Sequence, residues 1–271
     1  MGLNSRGGQD GTAVTETTSA PHWSLEPYTD YLNQVSSPRS AFDAAGTWEH
    51  TYDVFPVYGK LDVTGPAWSK RHKGTLRLNR EPASEGGAHL RVFSEVTFLD
   101  FGKLPTKHQR TMATMRCLAD VLATPVEWRL ESAAVGRHDP SPMPFSEFEE
   151  SGKLRGEAVE LSSGGRLRSF DVGDAVTSNW SLFEAVQRLP REGSTELRFT
   201  MLEDLRLLRL QQRLVSESPV EVQFANGPET LYGFRQTGEG VLPIHYWLDE
   251  HGRLLLAIGN VRAYILRGGQ G

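Results

Sequence analysis

In the last third of the chain, apolar and polar residues alternate strictly over short runs separated only by turns. Leu197, Phe199 and Met201 alternate with Arg198 and Thr200, Val220, Val222 and Phe224 with Glu221 and Gln223, and Ile244, Tyr246 and Leu248 with His245 and Trp247. A period of two puts one set of side chains on each face of a sheet, so this region predicts an antiparallel meander with two unlike faces. Turn signals punctuate it at Glu203 and Asp204, Ser218 and Pro219, 226–228, 238–240 and 250–252.

The same alternation appears earlier. Trp48, His50, Tyr52 and Val54 share one face of a first strand, with Thr47, Glu49, Thr51 and Asp53 on the other. Strands are predicted over 74–80 and 89–101, around a turn containing Pro82, Gly86 and Gly87, and again at Val126, Trp128 and Leu130. A further hairpin joins 153–161 to 166–172 through Ser162, Ser163, Gly164 and Gly165, and 136–150, with three prolines and no period, reads as a long surface loop.

Two segments change period. Met112, Met115, Leu118, Ala119 and Leu122 recur at three and four, predicting a helix over 106–122 that Pro125 stops. A second helix is predicted from Thr177, with Ser178 or Asn179 as cap, Trp180, Phe183, Ala185, Val186 and Leu189 as apolar stripe, and Pro190 as its end. The expected fold is therefore mainly β (α+β): one large, curled, mostly antiparallel sheet or half-barrel of roughly eleven or twelve strands with two packed helices, because a sheet that wide cannot stay flat. Two helices are too few to cover both faces, so they are expected on the concave side, leaving an apolar hollow between helix and sheet.

The domain boundary follows from composition. Residues 2–20 are rich in Gly, Ser and Thr, so 1–45 is expected to be a flexible extension with a short helix over 26–35, followed by a single β-rich domain over 46–271. Such a tail commonly lies just after a cleaved signal or an anchor. No apolar run approaches the roughly 18 residues of a membrane helix.

Charge narrows the partners. A net charge of -5 argues against nucleic acid, and the basic run Lys70, Arg71, His72 and Lys73 is short enough to be a solvated turn. The single cysteine, Cys117, excludes an intramolecular disulfide and is expected to be buried on the helix over 106–122.

The end of the chain resembles a known type. The passage Leu242-Pro243-Ile244-His245-Tyr246-Trp247-Leu248-Asp249-Glu250-His251-Gly252-Arg253-Leu254-Leu255 is similar to the closing hairpin of the DUF3108-like periplasmic proteins, and the mid-chain helix over 177–189 fits their order. Those proteins resemble the curled half-barrels of lipoprotein carriers of the LolA and LppX type, whose concave face holds acyl chains. Over 46–267 the resemblance implies an extracytoplasmic, periplasmic location and a lipid-like ligand.

Candidate chemistry is sparse. No Gly-x-Ser-x-Gly, His-Glu-x-x-His, phosphate-loop or Gly-x-Gly-x-x-Gly motif occurs, so catalytic residues are unassigned and a non-enzyme is favoured. The dispersed candidates are His50, His245, Glu49, Asp53 and Asp249, since a histidine beside aromatics in a hollow can act as a base or hold a polar head group. Glu147, Glu149 and Glu150 beside Asp139 offer oxygen ligands without EF-hand spacing, and read better as a solvated loop; no metal or cofactor is expected. The candidate ligand-binding set is Trp48, His50, Tyr52, Trp180, Phe183, His245 and Trp247, with Tyr246 or Trp247 turned into the groove according to register.

The leading expectation is a monomeric, extracytoplasmic binding protein for a hydrophobic small molecule, with peripheral membrane contact. One alternative is an enzyme on a carbohydrate or lipid-linked substrate, which requires His50 and His245 to converge in a polar hollow. The other is a protein-interaction module with a large uncovered apolar patch on its convex side.

Overall fold

The computed structural model describes residues 25, 28–56, 74–97, 107–136, 141–173, 175–259 and 262–267. The leader over 2–20 and the basic run Lys70, Arg71, His72 and Lys73 lie outside them, as does Asp139.

The strands are β1 (Trp48–Pro56), β2 (Gly74–Pro82), β3 (Ala88–Thr97), β4 (Lys107–Cys117), β5 (Pro125–Gly136), β6 (Phe148–Arg155), β7 (Ala158–Ser163), β8 (Arg166–Asp171), β9 (Val176–Ser178), β10 (Glu196–Glu203), β11 (Leu207–Phe224), β12 (Gly227–Thr237), β13 (Ile244–Leu248), β14 (Leu254–Gly259) and β15 (Arg262–Leu266). All 15 belong to one sheet, in the order β8 to β1, then β15 back to β9. Every pairing is antiparallel except β9 with β10. The first and last strands pair in the middle of the sheet, with Tyr52 opposite Leu266 and Val54 opposite Tyr264.

The order of the edges forces closure. β8 and β9 stand at opposite edges, yet only residues 172–175 separate them in sequence, so the sheet must curl until its edges approach. β9 is held there by the β4–β5 turn: Thr124 Oγ1 donates to the Val176 carbonyl at 2.7 Å, and Thr177 Oγ1 donates to the Leu122 carbonyl at 2.7 Å. The mainly β, curled architecture expected from the alternation is the one observed.

Immediately after β9 the chain turns inward as α2 (Asn179–Arg188). Ser178 caps it, its hydroxyl accepting the Ser181 N–H at 2.9 Å, as the Ser-then-stripe pattern predicts. All eight residues Trp180–Gln187 are buried, which marks a helix enclosed on every side, here as the plug of the curled sheet. Its apolar stripe meets the wall at Phe183, whose ring takes edge contacts from Tyr52, Tyr246 and Tyr264 at centroid distances of 5.5, 6.0 and 5.4 Å.

A polar stripe runs along the same helix at a spacing of three. Ser181 bonds the Ser178 hydroxyl at 2.7 Å, Glu184 accepts Arg80 Nε at 2.9 Å and Arg188 Nε at 2.7 Å, and Gln187 Oε1 accepts the Leu254 N–H at 3.1 Å. Arg80 also donates to the carbonyls of Ala45 and Gly46, so one buried guanidinium ties the helix to the segment that enters β1.

The helix expected over 106–122 is instead strand β4 and a turn. β4 has neighbours on both sides, pairing with β3 from Ala88–Cys117 to Thr97–His108 and with β5 along its length. Ala113, Met115 and Cys117 are buried on the inner face, while Met112 is 43% exposed on the outer one. The spacing of three and four arose because Met112 and Met115 lie on opposite faces of a strand, a pattern short apolar runs share with helices. Cys117 is buried as expected, but on β4, and burial pushes its thiol up to about 12, which keeps it unreactive.

The other helix is α1 (Thr29–Leu32), four residues long. It covers the outer face: Leu32 and Tyr28 are buried, Tyr31 meets Phe55 at 4.9 Å, and the Val35 carbonyl accepts the Ala225 N–H. Three further expectations change. The single hairpin over 153–172 is three strands, with a turn after Arg155. The loop expected over 136–150 already pairs from Phe148. Ser218 and Pro219 form a bulge inside the 18-residue β11, where proline's missing N–H does least harm.

Candidate functional site

Tyr246 faces α2, so the concave face carries Tyr246 and its register partners Phe234 and Ala257, while Trp247 and His245 point outward. On β1 the concave face carries Trp48, His50, Tyr52 and Val54. His50 and His245 therefore lie on opposite faces of the sheet. The enzyme reading that needs them to converge does not hold.

Each histidine has a local explanation. His50 stacks on Trp48 at 4.6 Å and lies 5.2 Å from Phe42, and its Nδ1 lies 3.3 Å from the Tyr52 hydroxyl, which also donates to the Leu254 carbonyl. Arg253 stands over the Phe42 ring and is anchored to the carbonyls of Pro38 and Ser40. The 38–46 segment thus closes this end, and Trp48, His50 and Tyr52 are core residues. His245 is a buried outer-face residue with Nδ1 2.6 Å from Glu217; Trp247 lies over Gly233, where an added Cβ would stand 2.4 Å from the ring.

Burial, with the nearby Arg253 charge, lowers the His50 imidazole from 6.5 to about 3. Between those values the unfolded chain binds a proton that the folded protein refuses, so stability falls as pH drops from 6.5 toward 3. This histidine alone is expected to contribute a loss of about 2 kcal/mol between about pH 7 and about pH 5. The loss in unfolding free energy between the two pH values, read from urea titrations, should be smaller by that amount in His50→Phe, which keeps the ring stack; equal losses in both proteins would refute the assignment.

The carboxylate candidates are also committed. Glu49 is exposed on the outer face. Asp53 binds Arg267 at 2.5 Å and the Tyr31 hydroxyl at 3.1 Å. Asp249 shapes the β13–β14 turn by accepting the N–H groups of His251 and Arg253. Glu149 pairs with Arg129, while Glu150, on the opposite face of β6, pairs with Arg168 at 2.8 Å and Arg206 at 3.5 Å. Among the described residues no group of three or more metal-ligating side chains converges.

What remains open lies at the N-terminal end of α2. A hollow of about 400 Å³ separates the helix from the wall of β10 and β13–β15, lined by Trp180, Phe183, Met201, Ile244, Tyr246, Ala257 and Tyr264, with Val241, Leu242, Asp204 and Arg262 toward its mouth. Beside it a second space of about 340 Å³ is lined by Ser94, Val96, Gln109, Thr111, Ser132, Ser146, Phe148 and Arg206, and shares Trp180, Asp204 and Arg262 with the first. A groove of about 450 Å³ outside β4–β6 is a surface cleft in which Arg129 is already bound to Glu131 and Glu149.

Of the seven candidate residues, the structure brings Trp180 and Phe183 to the hollow. Trp48, His50 and Tyr52 pack at the closed end, and His245 and Trp247 lie outside. Residues not singled out from the sequence complete the site: Met201, Ile244, Ala257 and Tyr264 look like ordinary strand residues until the concave face is known. The Ser94–Thr111–Ser132 row carried a signal, since hydroxyls occupy inner positions between apolar neighbours such as Val92 and Val96.

No family model matches the chain, and no curated protein does. A solved structure does: a β-barrel-like protein of domain of unknown function DUF1849 from Brucella abortus, at 11% identity and a TM-score of 0.56, covering 83% of this chain and 97% of that one. The likeness shows the barrel-like fold and does not single out DUF3108-like or LolA-type proteins.

Proposed function

We propose that the protein is an extracytoplasmic binding protein that holds a lipid-like hydrophobic molecule in the hollow between α2 and β10, β13, β14 and β15. The observation that carries this reading is the hollow itself: about 400 Å³ walled by Trp180, Phe183, Met201, Ile244, Tyr246 and Tyr264. Ligand sites are commonly concave, mostly apolar spaces of roughly 300–1,000 Å³ with a few polar groups at one end. The curled, barrel-like fold, similar to that of the DUF1849 protein, gives the sheet the concave side on which this hollow lies.

The mechanism is reversible burial. Apolar ligand surface removed from water contributes roughly 25 cal/mol per Å², and the rings of Trp180 and Tyr246 supply rigid walls at little entropic cost. The mouth, flanked by Leu242, which is 58% exposed, offers a route for entry from a membrane surface or a carrier.

Native mass spectrometry after purification without detergent is expected to show an added mass that organic extraction removes and lipid analysis identifies. A protein that is purified empty and takes up no acyl-chain probe would overturn the reading. Location is tested separately, by fusing the full-length gene product to a reporter active only outside the cytoplasm.

A further inference from the structure

The hollow has two chambers of opposite character, and we propose that the second binds the oxyanion head, phosphate or carboxylate, of an amphiphile whose tail fills the first. This rests on the function proposed above and adds the ligand class. The chambers are adjacent, sharing Trp180, Asp204 and Arg262, and the amphiphile would lie across both.

The polar chamber is built into the sheet register. Ser94, Thr111 and Ser132 are direct cross-strand partners on β3, β4 and β5, forming a row of hydroxyls on a face otherwise occupied by Leu90, Val92, Ala113, Met115, Trp128 and Leu130. Thr111 and Ser132 hydroxyls lie 3.3 Å apart and Gln109 Nε2 donates to Ser132 at 3.2 Å. Hydroxyls on a concave wall leave a ligand both donors and acceptors.

Two observations select an anion. Trp180, only 5% exposed, borders both chambers, and its buried indole N–H has no hydrogen-bond partner among the described residues. An indole can only donate, so an acceptor is what it lacks. Charge points the same way. Arg206 and Arg262 line the chamber with the carboxylate of Asp204, Glu150 behind Arg206 is shared with Arg168, and Glu203 on the wall of the first chamber is paired with Arg209, leaving one positive charge in excess. Glu150 holds Arg168 and Arg206, Arg206 also lies 3.8 Å over Phe148, and Asp204 accepts the Asn179 amide, whereas Arg262 stands exposed at the shared mouth with a hydrogen bond to Tyr264. The positive end of the α2 dipole opens on the same side.

The test uses three probes with one tail: dodecyl phosphate, dodecanoate and dodecyl maltoside, each titrated below its micelle concentration by calorimetry. Both anions are expected to bind about tenfold or more tightly than the maltoside, the difference expected of charge-assisted hydrogen bonds. Whichever anion binds tighter identifies the head group. Arg262→Gln, at an exposed position, should keep its urea midpoint and lose about tenfold in anion affinity while maltoside binding stays within about twofold. Trp180→Phe, which keeps a smaller aromatic wall and removes the donor, should weaken the anions by more than it weakens the maltoside. Equal affinity for all three probes, or equal losses in Arg262→Gln, would overturn the head-group assignment and leave the tail site standing. No binding of any probe would overturn both.

Discussion

Glu184→Leu is expected to lower the unfolding free energy by about 3–5 kcal/mol, the cost of leaving one member of a buried ion pair without its partner. Glu184 is 1% exposed and is the acceptor that joins Arg80 on β2 to Arg188 on α2. Without it Arg80, whose side chain is 6% exposed, keeps only the Ala45 and Gly46 carbonyls, which share but do not neutralise its charge. The double replacement Arg80→Met and Glu184→Leu should recover most of the loss, because no unpaired charge is then buried; Arg188, about one-fifth exposed and also donating to the Asp120 carbonyl, can turn to water. Urea unfolding with an unchanged slope measures all three. A single-variant cost below about 1 kcal/mol would mean that water reaches this pair and that α2 is not a sealed plug.

The helix that carries these charges was the most legible element in the chain. Ser178, the stripe from Trp180 to Leu189 and Pro190 agree at every level, and propensity, cap and breaker place α2 without tertiary information. β1 was legible for the same reason, since Trp48, His50, Tyr52 and Val54 alternate with polar residues. β4 was not. Its Met112 and Met115, with Leu118, Ala119 and Leu122 of the turn that follows, satisfy a helical spacing by chance, and only the pairing of β4 with both β3 and β5 settles the matter. Ser218 and Pro219 signal a turn, yet the neighbouring β12 holds β11 straight through them as a bulge.

The site was less legible than the fold for a physical reason. Alternation gives two faces but does not say which is concave, so Tyr246 and Trp247 were equivalent until Phe183 met Tyr246. The aromatic-flanked His50 had the composition of a site, but Phe42, eight residues upstream, folds over it, and Arg253, distant in sequence, stands over Phe42, which makes His50 core. Conversely, Ser94 shows as an inner position between Val92 and Val96, but that it joins Thr111 and Ser132 in one row appears only with the strand pairing.

Phe183→Ala is expected to cost about 3–5 kcal/mol, through lost transfer energy and the space left behind. Its ring is the meeting point of Tyr52 from β1, Tyr246 from β13 and Tyr264 from β15, and it separates the closed, filled end of the molecule from the open hollow. Because it borders an existing space, truncation enlarges the hollow instead of creating an isolated void, and the rings around it have nothing to collapse onto. An acyl chain can fill the added volume, so dodecyl phosphate should raise the stability of the variant by more than it raises that of the parent, as linkage requires of a ligand bound more tightly by the variant. Thermal unfolding with and without the probe reads both effects. A cost under about 1 kcal/mol would remove Phe183 as the contact that fixes α2 against the sheet, and a full cost with no rescue by the probe would place the tail elsewhere than against this ring.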